Sequence, residues 1–143
     1  MILMTISTPI PNSKNTGRVK IKLYTEDDKS TWDQFVRESK NGTFLFYRDF
    51  IEYHGNRFND YSLMFYIDNL LVALMPGHIT DKIYYSHQGL TYGGLVMSEN
   101  TTTSQVLKIF EYLTVTFRHQ GITKIIYKSI PHMYHRQPAE EDL

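Results

Sequence analysis

The hydrophobic and polar positions along the chain predict five strands. Apolar residues alternate with polar ones, or form short runs bounded by turn residues, in the ranges 19–25, 61–67, 70–75, 83–86 and 124–128. Asp68 and Asn69 lie between the second and third ranges, as the two-residue turn of a hairpin. Pro76 and Gly77 then end or bend the third strand.

Three helices are predicted from apolar spacing, polar start signals and glycine stops: 31–41, 43–55 and 102–121. Thr31 with Gln34, and Thr102 with Gln105, have the spacing of a capping box. The element order is therefore β-α-α-β-β-β-α-β, which is typical of a mixed α/β fold.

The last strand–helix–strand unit predicts where a ligand would bind. A connection of this kind joins parallel strands through a right-handed crossover, whereas the preceding hairpin is antiparallel, so we expect one mixed sheet. Ligands favour the crevice at the carboxyl ends of such strands. Two unusual segments follow those ends, residues 86–94 and 128–136, and we expect them to meet at one edge of the sheet.

The composition indicates an ordinary globular chain that is rich in aromatic residues. Of 143 residues, 41% are hydrophobic and 14% aromatic, and fifteen basic residues balance fifteen acidic ones. A neutral chain without a basic cluster argues against nucleic-acid binding through a basic face. The absence of cysteine excludes disulfides and cysteine nucleophiles and fits a reducing cytoplasm.

A single domain is predicted over residues 19–143, behind a flexible polar leader over residues 1–18. No window approaches the length of apolar sequence that a membrane span needs. Paired carboxylates occur only at 27–28 and 140–142, in segments that we expect to be solvated.

The first unusual segment combines polar side chains with glycines: Ser86, His87, Tyr92, Gly93 and Gly94. The glycines would let a ligand lie against main-chain N–H groups. The start of the next helix, at Thr102 and Thr103, would offer N–H groups to a phosphate. An alternative interpretation stays open, in which the glycines serve only a bulge and the threonines only cap the helix.

The second unusual segment places five polar side chains within nine residues: Lys128, His132, Tyr134, His135 and Arg136. Histidine is the side chain best suited to proton transfer near neutral pH. The alternative interpretation is a surface loop around a turn that begins at Pro131. His132 and His135 alone lack a third ligand, so no metal site is predicted.

The aromatic stretch 44–58 has helical spacing. Phe46, Phe50 and Tyr53 are assigned to the core on this basis. Tyr47, Arg48 and His54 are left as residues that could line a groove.

Three phrases of the sequence resemble a bacterial group of GNAT-like and FemAB-like acyltransferases: TFLFYRDFIEYHGNRFNDYSL, YYSHQGLTYGGLV and IPHMYHRQPAEEDL. The resemblance covers about residues 19–143 and implies the first part of the GNAT fold. It implies transfer of an acyl or aminoacyl group to an amine of a small molecule, sugar or peptide. The donor would be acetyl-CoA or another acyl-CoA in the GNAT branch and aminoacyl-tRNA in the Fem branch.

The resemblance also implies residue roles. His87 or His132 would be the general base, and Tyr92 or Tyr134 the acid for the leaving group. Coenzyme A would contact Gly93, Gly94, Leu95, Thr102 and Thr103. The substrate would contact Tyr47, Arg48, Ser86, Lys128 and His135.

A second function remains open at this point. The stretch LVMSENTTTS before the third helix lacks the Q/R-x-x-G-x-G/A pattern of the GNAT pyrophosphate loop. The alternative is a non-catalytic binding or assembly module, with a groove for a sugar or peptide lined by Tyr47, Tyr53, Tyr84, Tyr85 and Tyr92.

Sequences of this group continue beyond the position of Leu143, so the fold is interpreted as truncated after its fifth strand. The strand 124–128 would then be an unpaired edge, which is a template for association with another chain. We therefore expect a homodimer through this edge. The neutral charge argues against independent affinity for tRNA.

Overall fold

The computed structural model describes residues 2–5, 17–53, 59–87, 90–139 and 141–142, with residues 2–5 described by their backbone alone. Eight strands are formed by these residues: β1 (Ile2–Thr5), β2 (Val19–Leu23), β3 (Leu63–Ile67), β4 (Leu70–Met75), β5 (His78–Thr80), β6 (Ile83–Tyr85), β7 (Val96–Met97) and β8 (Lys124–Tyr127). Three α-helices accompany them: α1 (Lys29–Glu38), α2 (Arg48–Tyr53) and α3 (Thr103–His119). The prediction of a mixed α/β fold is confirmed.

The described strands form two four-stranded sheets, where the sequence predicted one. The first sheet has the order β2-β3-β4-β7, and all its strand pairs are antiparallel. The second has the order β1-β8-β6-β5 and is mixed, because β6 and β8 are parallel. The predicted parallel pair is therefore confirmed, with α3 as its crossover.

Two tight hairpins connect neighbouring strands. Asp68 and Asn69 have positive φ angles of 49° and 65°, and they form the predicted turn between β3 and β4. Asp81 and Lys82, at 52° and 63°, form a second such turn between β5 and β6, which the sequence pattern did not predict. Paired positive φ angles are those of the turn type whose twist matches the flanking strands.

The first described residues belong to the second sheet. β1 pairs antiparallel with β8, from Ile2 opposite Tyr127 to Thr5 opposite Lys124. Residues 2–5, which the sequence assigned to a flexible leader, thus form a strand, whereas residues 6–16 lie outside the described residues. β8 has β1 on one side and β6 on the other, so the predicted unpaired edge is wrong. The reason given for a homodimer through that edge disappears with it.

The helices differ from the prediction at their starts and in their length. α1 begins at Lys29, so Thr31 lies inside it and caps nothing. The capping interaction lies earlier, where the Asp28 carboxylate accepts hydrogen bonds from the backbone and hydroxyl of Thr25, both at 3.0 Å. By contrast, the capping box of Thr102 and Gln105 is confirmed at the start of α3.

The second predicted helix is divided into two pieces, a single 3₁₀ turn (Phe44–Phe46) and α2. The indole N–H of Trp32 donates to the carbonyl of Phe46 at 2.7 Å, and the Asp33 carboxylate accepts the N–H of Arg48 at 2.9 Å. These bonds hold the break between the pieces, where Tyr47 is extended. The end of the predicted helix, including His54, lies outside the described residues.

Hydrophobic cores lie on both faces of the first sheet. One contains α3 residues and the inner face of β8, with Phe65, Phe117 and Tyr127 among its members. The other packs α1 and the Phe44–Phe46 turn against the sheet, around Trp32 and Met64. Of the predicted core residues, Phe46 is buried and Phe50 half-buried, but Tyr53 is 81% exposed because α2 ends there, beyond its last buried residue, Ile51.

Among the helices that the described residues form, none is both long and apolar enough to cross a bilayer.

Candidate functional site

The two unusual segments meet, as the sequence predicted. The N–H of Gly93 donates to the carbonyl of Lys128 at 2.7 Å, and the N–H of Lys128 donates to the Ser86 hydroxyl at 3.0 Å. The rings of Tyr92 and Tyr134 stack with their centroids 5.3 Å apart. We call the described residues of 86–94 and 128–136 the junction. It lies at the carboxyl ends of the parallel strands β6 and β8.

The glycines of the junction serve the packing of the chain itself. A Cβ on Gly93 would lie 2.0 Å from the carbonyl oxygen of Ser86, and one on Gly94 would lie 2.7 Å from the ring of Tyr127. Gly94 also has a φ of +80°, and its N–H donates to the carbonyl of Ser86 at 3.0 Å. Both N–H groups thus donate to carbonyls of the chain itself, and the proposed contact of Gly93 and Gly94 with coenzyme A stays a prediction.

The other residues expected to contact the cofactor also have internal partners or lie elsewhere. Leu95 is fully buried, and its N–H donates to the Tyr127 hydroxyl at 2.7 Å. The N–H of Thr102 donates to Gln105 at 3.0 Å, while Thr103 is exposed in the first turn of α3. The adjoining Thr101 donates its hydroxyl to the carbonyl of Val72 at 2.7 Å, so this helix start lies beside β4 of the first sheet.

His87 is the histidine of the junction with the most restricted environment. Its side chain is half-buried directly after β6, and its Nδ1 is buried with no hydrogen-bond partner among the described residues. Burial lowers the pKa of His87, and the nearby positive charge of Lys128 lowers that pKa further. The imidazole is therefore neutral at pH 7.

A second histidine, which the sequence analysis missed, belongs to the same region. His78 is buried on β5, and its ring stacks on Tyr85 with a centroid separation of 4.9 Å and an interplanar angle of 6°. Tyr85 in turn contacts the His87 ring edge-on, at 6.2 Å. Burial, with a smaller effect from His87, lowers the pKa of His78. The turn signal Asp81-Lys82 could have predicted this pairing, because it sets His78 opposite Tyr85.

The other tyrosines and histidines of the junction have different surroundings. Tyr92 is buried, and its hydroxyl shares a 3.0 Å hydrogen bond with the Thr43 hydroxyl. Tyr134 is half-exposed, and His132 is exposed on the same 3₁₀ turn (His132–Tyr134). His135 bonds through Nε2 to the carbonyl of Ile130 at 3.0 Å. Of these four residues, Tyr134 and His132 thus present their side chains to solvent.

Three of the residues expected to contact a substrate are structural. The Arg48 guanidinium is buried 3.7 Å from the ring centroid of Tyr24 and donates to Asp60 at 2.9 Å. The hydroxyl of Ser86 is buried where it accepts the N–H of Lys128. Tyr47 packs, half-buried, against the core on the α1 side of the first sheet.

The aromatic groove of the alternative function is not formed as predicted. Tyr84 is fully buried, donates its hydroxyl to the carbonyl of Tyr61 at 3.1 Å, and has a pKa that burial raises well above its ordinary value. Tyr92 belongs to the core on the opposite face of the first sheet, and Tyr53 is exposed at the end of α2. These rings therefore share no common surface.

Two clefts formed by described residues lie away from the junction. One, of about 470 Å³, is lined by Phe35, Glu38, Leu71, Ser98, Glu99 and Asn100. The other, of about 500 Å³, is lined by Arg18, Val19, Lys20, Ile21, Asp68, Asn69 and Tyr112. Neither contains a residue that the sequence assigned to the site. Within the described residues, no three His, Asp or Glu side chains are grouped so as to hold a metal ion.

Comparison with models of protein families gives no match to this chain, and comparison with curated proteins gives none either. The class of this protein is therefore described from its fold and its junction. The chain is a mixed α/β protein with a neutral histidine at the carboxyl ends of a parallel strand pair.

Proposed function

We propose that the chain is an acyltransferase-type domain that passes an acyl group from an activated donor to an amine at the junction. The observation that carries the proposal is His87, a half-buried imidazole with a lowered pKa and an Nδ1 that has no hydrogen-bond partner among the described residues. A neutral imidazole is the form that a general base for an incoming ammonium group requires.

The proposed step is an ordinary aminolysis. His87 takes a proton from the acceptor, and the amine nitrogen attacks the carbonyl carbon of the donor to form the new N–C bond. The bond from that carbon to the sulfur or oxygen of the leaving group breaks, and the leaving group takes up the second proton, which the nitrogen releases as the amide forms. Lys128, whose charge is close enough to lower the pKa of His87, keeps the imidazole neutral before the acceptor binds.

The donor is proposed to be an acyl thioester such as acetyl-CoA, or an aminoacyl ester. The N–H groups of Gly93 and Gly94 donate to carbonyls of the chain itself. Donor contacts are therefore proposed to come from side chains of the junction, with Lys128 the most suitable for a phosphate.

The test is acyl transfer from acetyl-CoA to a panel of amines. The reaction is monitored through the free thiol that coenzyme A carries once its acyl group has left. His87→Gln should lower kcat by about 10²–10⁴-fold, the usual contribution of a general base. His119→Gln, which removes an exposed histidine at the end of α3, is the matched control and should leave kcat unchanged. Full activity in His87→Gln, or no transfer with any thioester or aminoacyl ester, would refute the proposal.

One observation favours the second candidate, a non-catalytic binding module. The hydrogen bond from Gly93 to Lys128 joins the two segments where a donor would otherwise approach the backbone. Titration with acetyl-CoA separates the candidates, because a ligand at a hundred times its Kd raises the stability by about 2.7 kcal/mol. A binding module would show no such shift with acetyl-CoA and would still bind its own ligand.

A further inference from the structure

Tyr134 is an exposed aromatic ring that the structure holds in place. It is 49% exposed, and one face of the ring lies on Tyr92, with an angle of 22° between the two planes. Tyr92 is itself fixed by its hydrogen bond to Thr43 and by the ring of Phe46, 6.0 Å away. The outer face of Tyr134 is thus presented to solvent on an ordered support.

The backbone around Tyr134 is ordered in the same way. The N–H of Tyr134 donates to the carbonyl of Pro131, and the N–H of His135 donates to that of His132, both at 3.0 Å. The bond from His135 to the carbonyl of Ile130 closes the turn. A ring that is already immobile loses little conformational entropy when it binds a ligand.

We propose that Tyr134 is a stacking platform for the sugar ring of an amino-sugar acceptor. This inference rests on the proposed function, since it assigns the acceptor class to the same junction. The axial C–H groups of a pyranose carry partial positive charge, and the face of an aromatic ring carries negative charge, so the two attract one another. His132 on the same turn would bond to the hydroxyl groups.

The size of the apolar surface favours a sugar over a protein partner. On this turn the exposed apolar side chains are Met133 and Tyr134. A stable protein interface buries about 800 Å² on each partner, far more than two side chains provide. One exposed ring face with a polar side chain beside it matches the size of a single sugar unit.

The test uses the full chain with D-glucosamine as the probe, observed by saturation-transfer NMR and by titration. We expect transfer to the axial protons of the sugar, and a loss of about tenfold in affinity for Tyr134→Ala, equivalent to about 1.4 kcal/mol. Tyr134→Phe retains the ring and should bind as the unchanged chain does. The matched control is Tyr112→Ala, which removes a tyrosine of similar exposure, 46%, from α3.

The outcomes separate this inference from the proposed function. Glucosamine binding that depends on Tyr134 but is not followed by acylation supports the platform and refutes the transferase. Acyl transfer to peptide amines, with no glucosamine binding, supports the transferase and overturns the platform. Equal binding by Tyr134→Ala and the unchanged chain, or binding of a peptide but no sugar at Tyr134, also overturns it.

Discussion

At the scale of single residues, the missing Cβ of Gly93 decides the path of the chain through the junction. An added Cβ would lie 2.0 Å from the Ser86 carbonyl oxygen and 2.6 Å from the Cα of His87. We expect Gly93→Ala to lower the free energy of unfolding by about 3 kcal/mol, at the upper end of overpacking costs. Urea denaturation measures this loss.

Gly121→Ala is the control for backbone strain without crowding. Gly121 has a φ of +77°, but a Cβ there would meet no atom within 4 Å. Its replacement should cost only the strain of a left-handed residue, about 1 kcal/mol. Equal losses in the two variants would show that crowding at Gly93 is unimportant.

The sequence shows where the glycines lie but not why the fold requires glycine at these positions. Glycines near a strand end indicate a bulge, a turn or a ligand, and the choice depends on the position of Ser86, seven residues before Gly93. The burial of Arg48 could not be predicted from the sequence for the same reason. Its guanidinium donates to Asp60 and Ser62, and no pattern in the sequence connects these residues with Arg48. Contacts of this kind have no periodicity that a sequence pattern could show.

His78 and His87 should make the stability of the chain depend on pH. In the folded state burial lowers both pKa values from the ordinary value of 6.5. As the pH falls through 6.5, the unfolded chain therefore binds protons that the folded chain does not yet bind. The stabilisation is complete above this pH and is lost as the pH falls through the lowered pKa values of the folded state.

Thermal denaturation between about pH 7 and pH 5 measures this dependence. His87→Gln should reduce the fall in Tm over this range, because one of the two histidines no longer titrates. His119→Gln controls for the loss of an exposed histidine. An unchanged dependence in both His87→Gln and His78→Gln would contradict the assignment.

At the scale of elements, Lys82 offers a stabilising substitution. Lys82 has a φ of 63° in the turn between β5 and β6, and its carbonyl accepts the N–H of Thr123 at 2.9 Å. Lys82→Gly retains this backbone bond and removes the left-handed strain, so stability should rise by about 1 kcal/mol. Lys20→Gly, in the exposed part of β2, should instead lower stability. Loss of stability in both variants would mean that the turn is not strained.

The sequence predicted best those elements whose apolar spacing, cap residues and turn residues all lie within the element itself. α3 has seventeen residues with repeated apolar spacing and a capping box, and the β3–β4 hairpin has its turn residues between two apolar runs. β5 and β7, with three and two residues, are too short to show a period. The division of the second helix depends on bonds from Trp32 and Asp33, which lie on another helix.

At the scale of the whole molecule, the sequence predicted the β6–α3–β8 crossover. It did not predict the pairing of β1 or the division of the strands into two sheets. The parallel pair of β6 and β8 follows from the handedness and length of a crossover through α3. The pairing of β1 with β8 joins residues about 120 positions apart, for which the chain carries no turn signal. The division into two sheets follows from β5 and β7, because β7 completes the first sheet and β5 the second.

Lys40 joins the last part of the chain to the first sheet. It is 4% exposed, and its ammonium group forms an ion pair with Glu141 and donates to the carbonyl of Thr101 at 3.1 Å. Its carbonyl accepts the N–H groups of Arg136 and Gln137, at 2.7 and 3.2 Å. The expectation that residues 140–142 are solvated is therefore wrong for Glu141. It is also wrong for Asp142, which accepts a hydrogen bond from the Tyr127 hydroxyl.

We expect Lys40→Met to lower stability by about 2 kcal/mol and to speed amide exchange at Arg136 and Gln137. The loss lies below the range for a fully buried pair, because the Glu141 side chain is 21% exposed and keeps some hydration. Lys40→Met with Glu141→Leu should regain part of the loss, since no charge is then left unpaired. Lys29→Met, which breaks the exposed pair with Asp49, should change stability little. If Arg136 and Gln137 exchange as slowly in Lys40→Met as in the unchanged chain, the backbone bonds alone hold these residues. The junction, which includes Arg136, would then not depend on the ion pair.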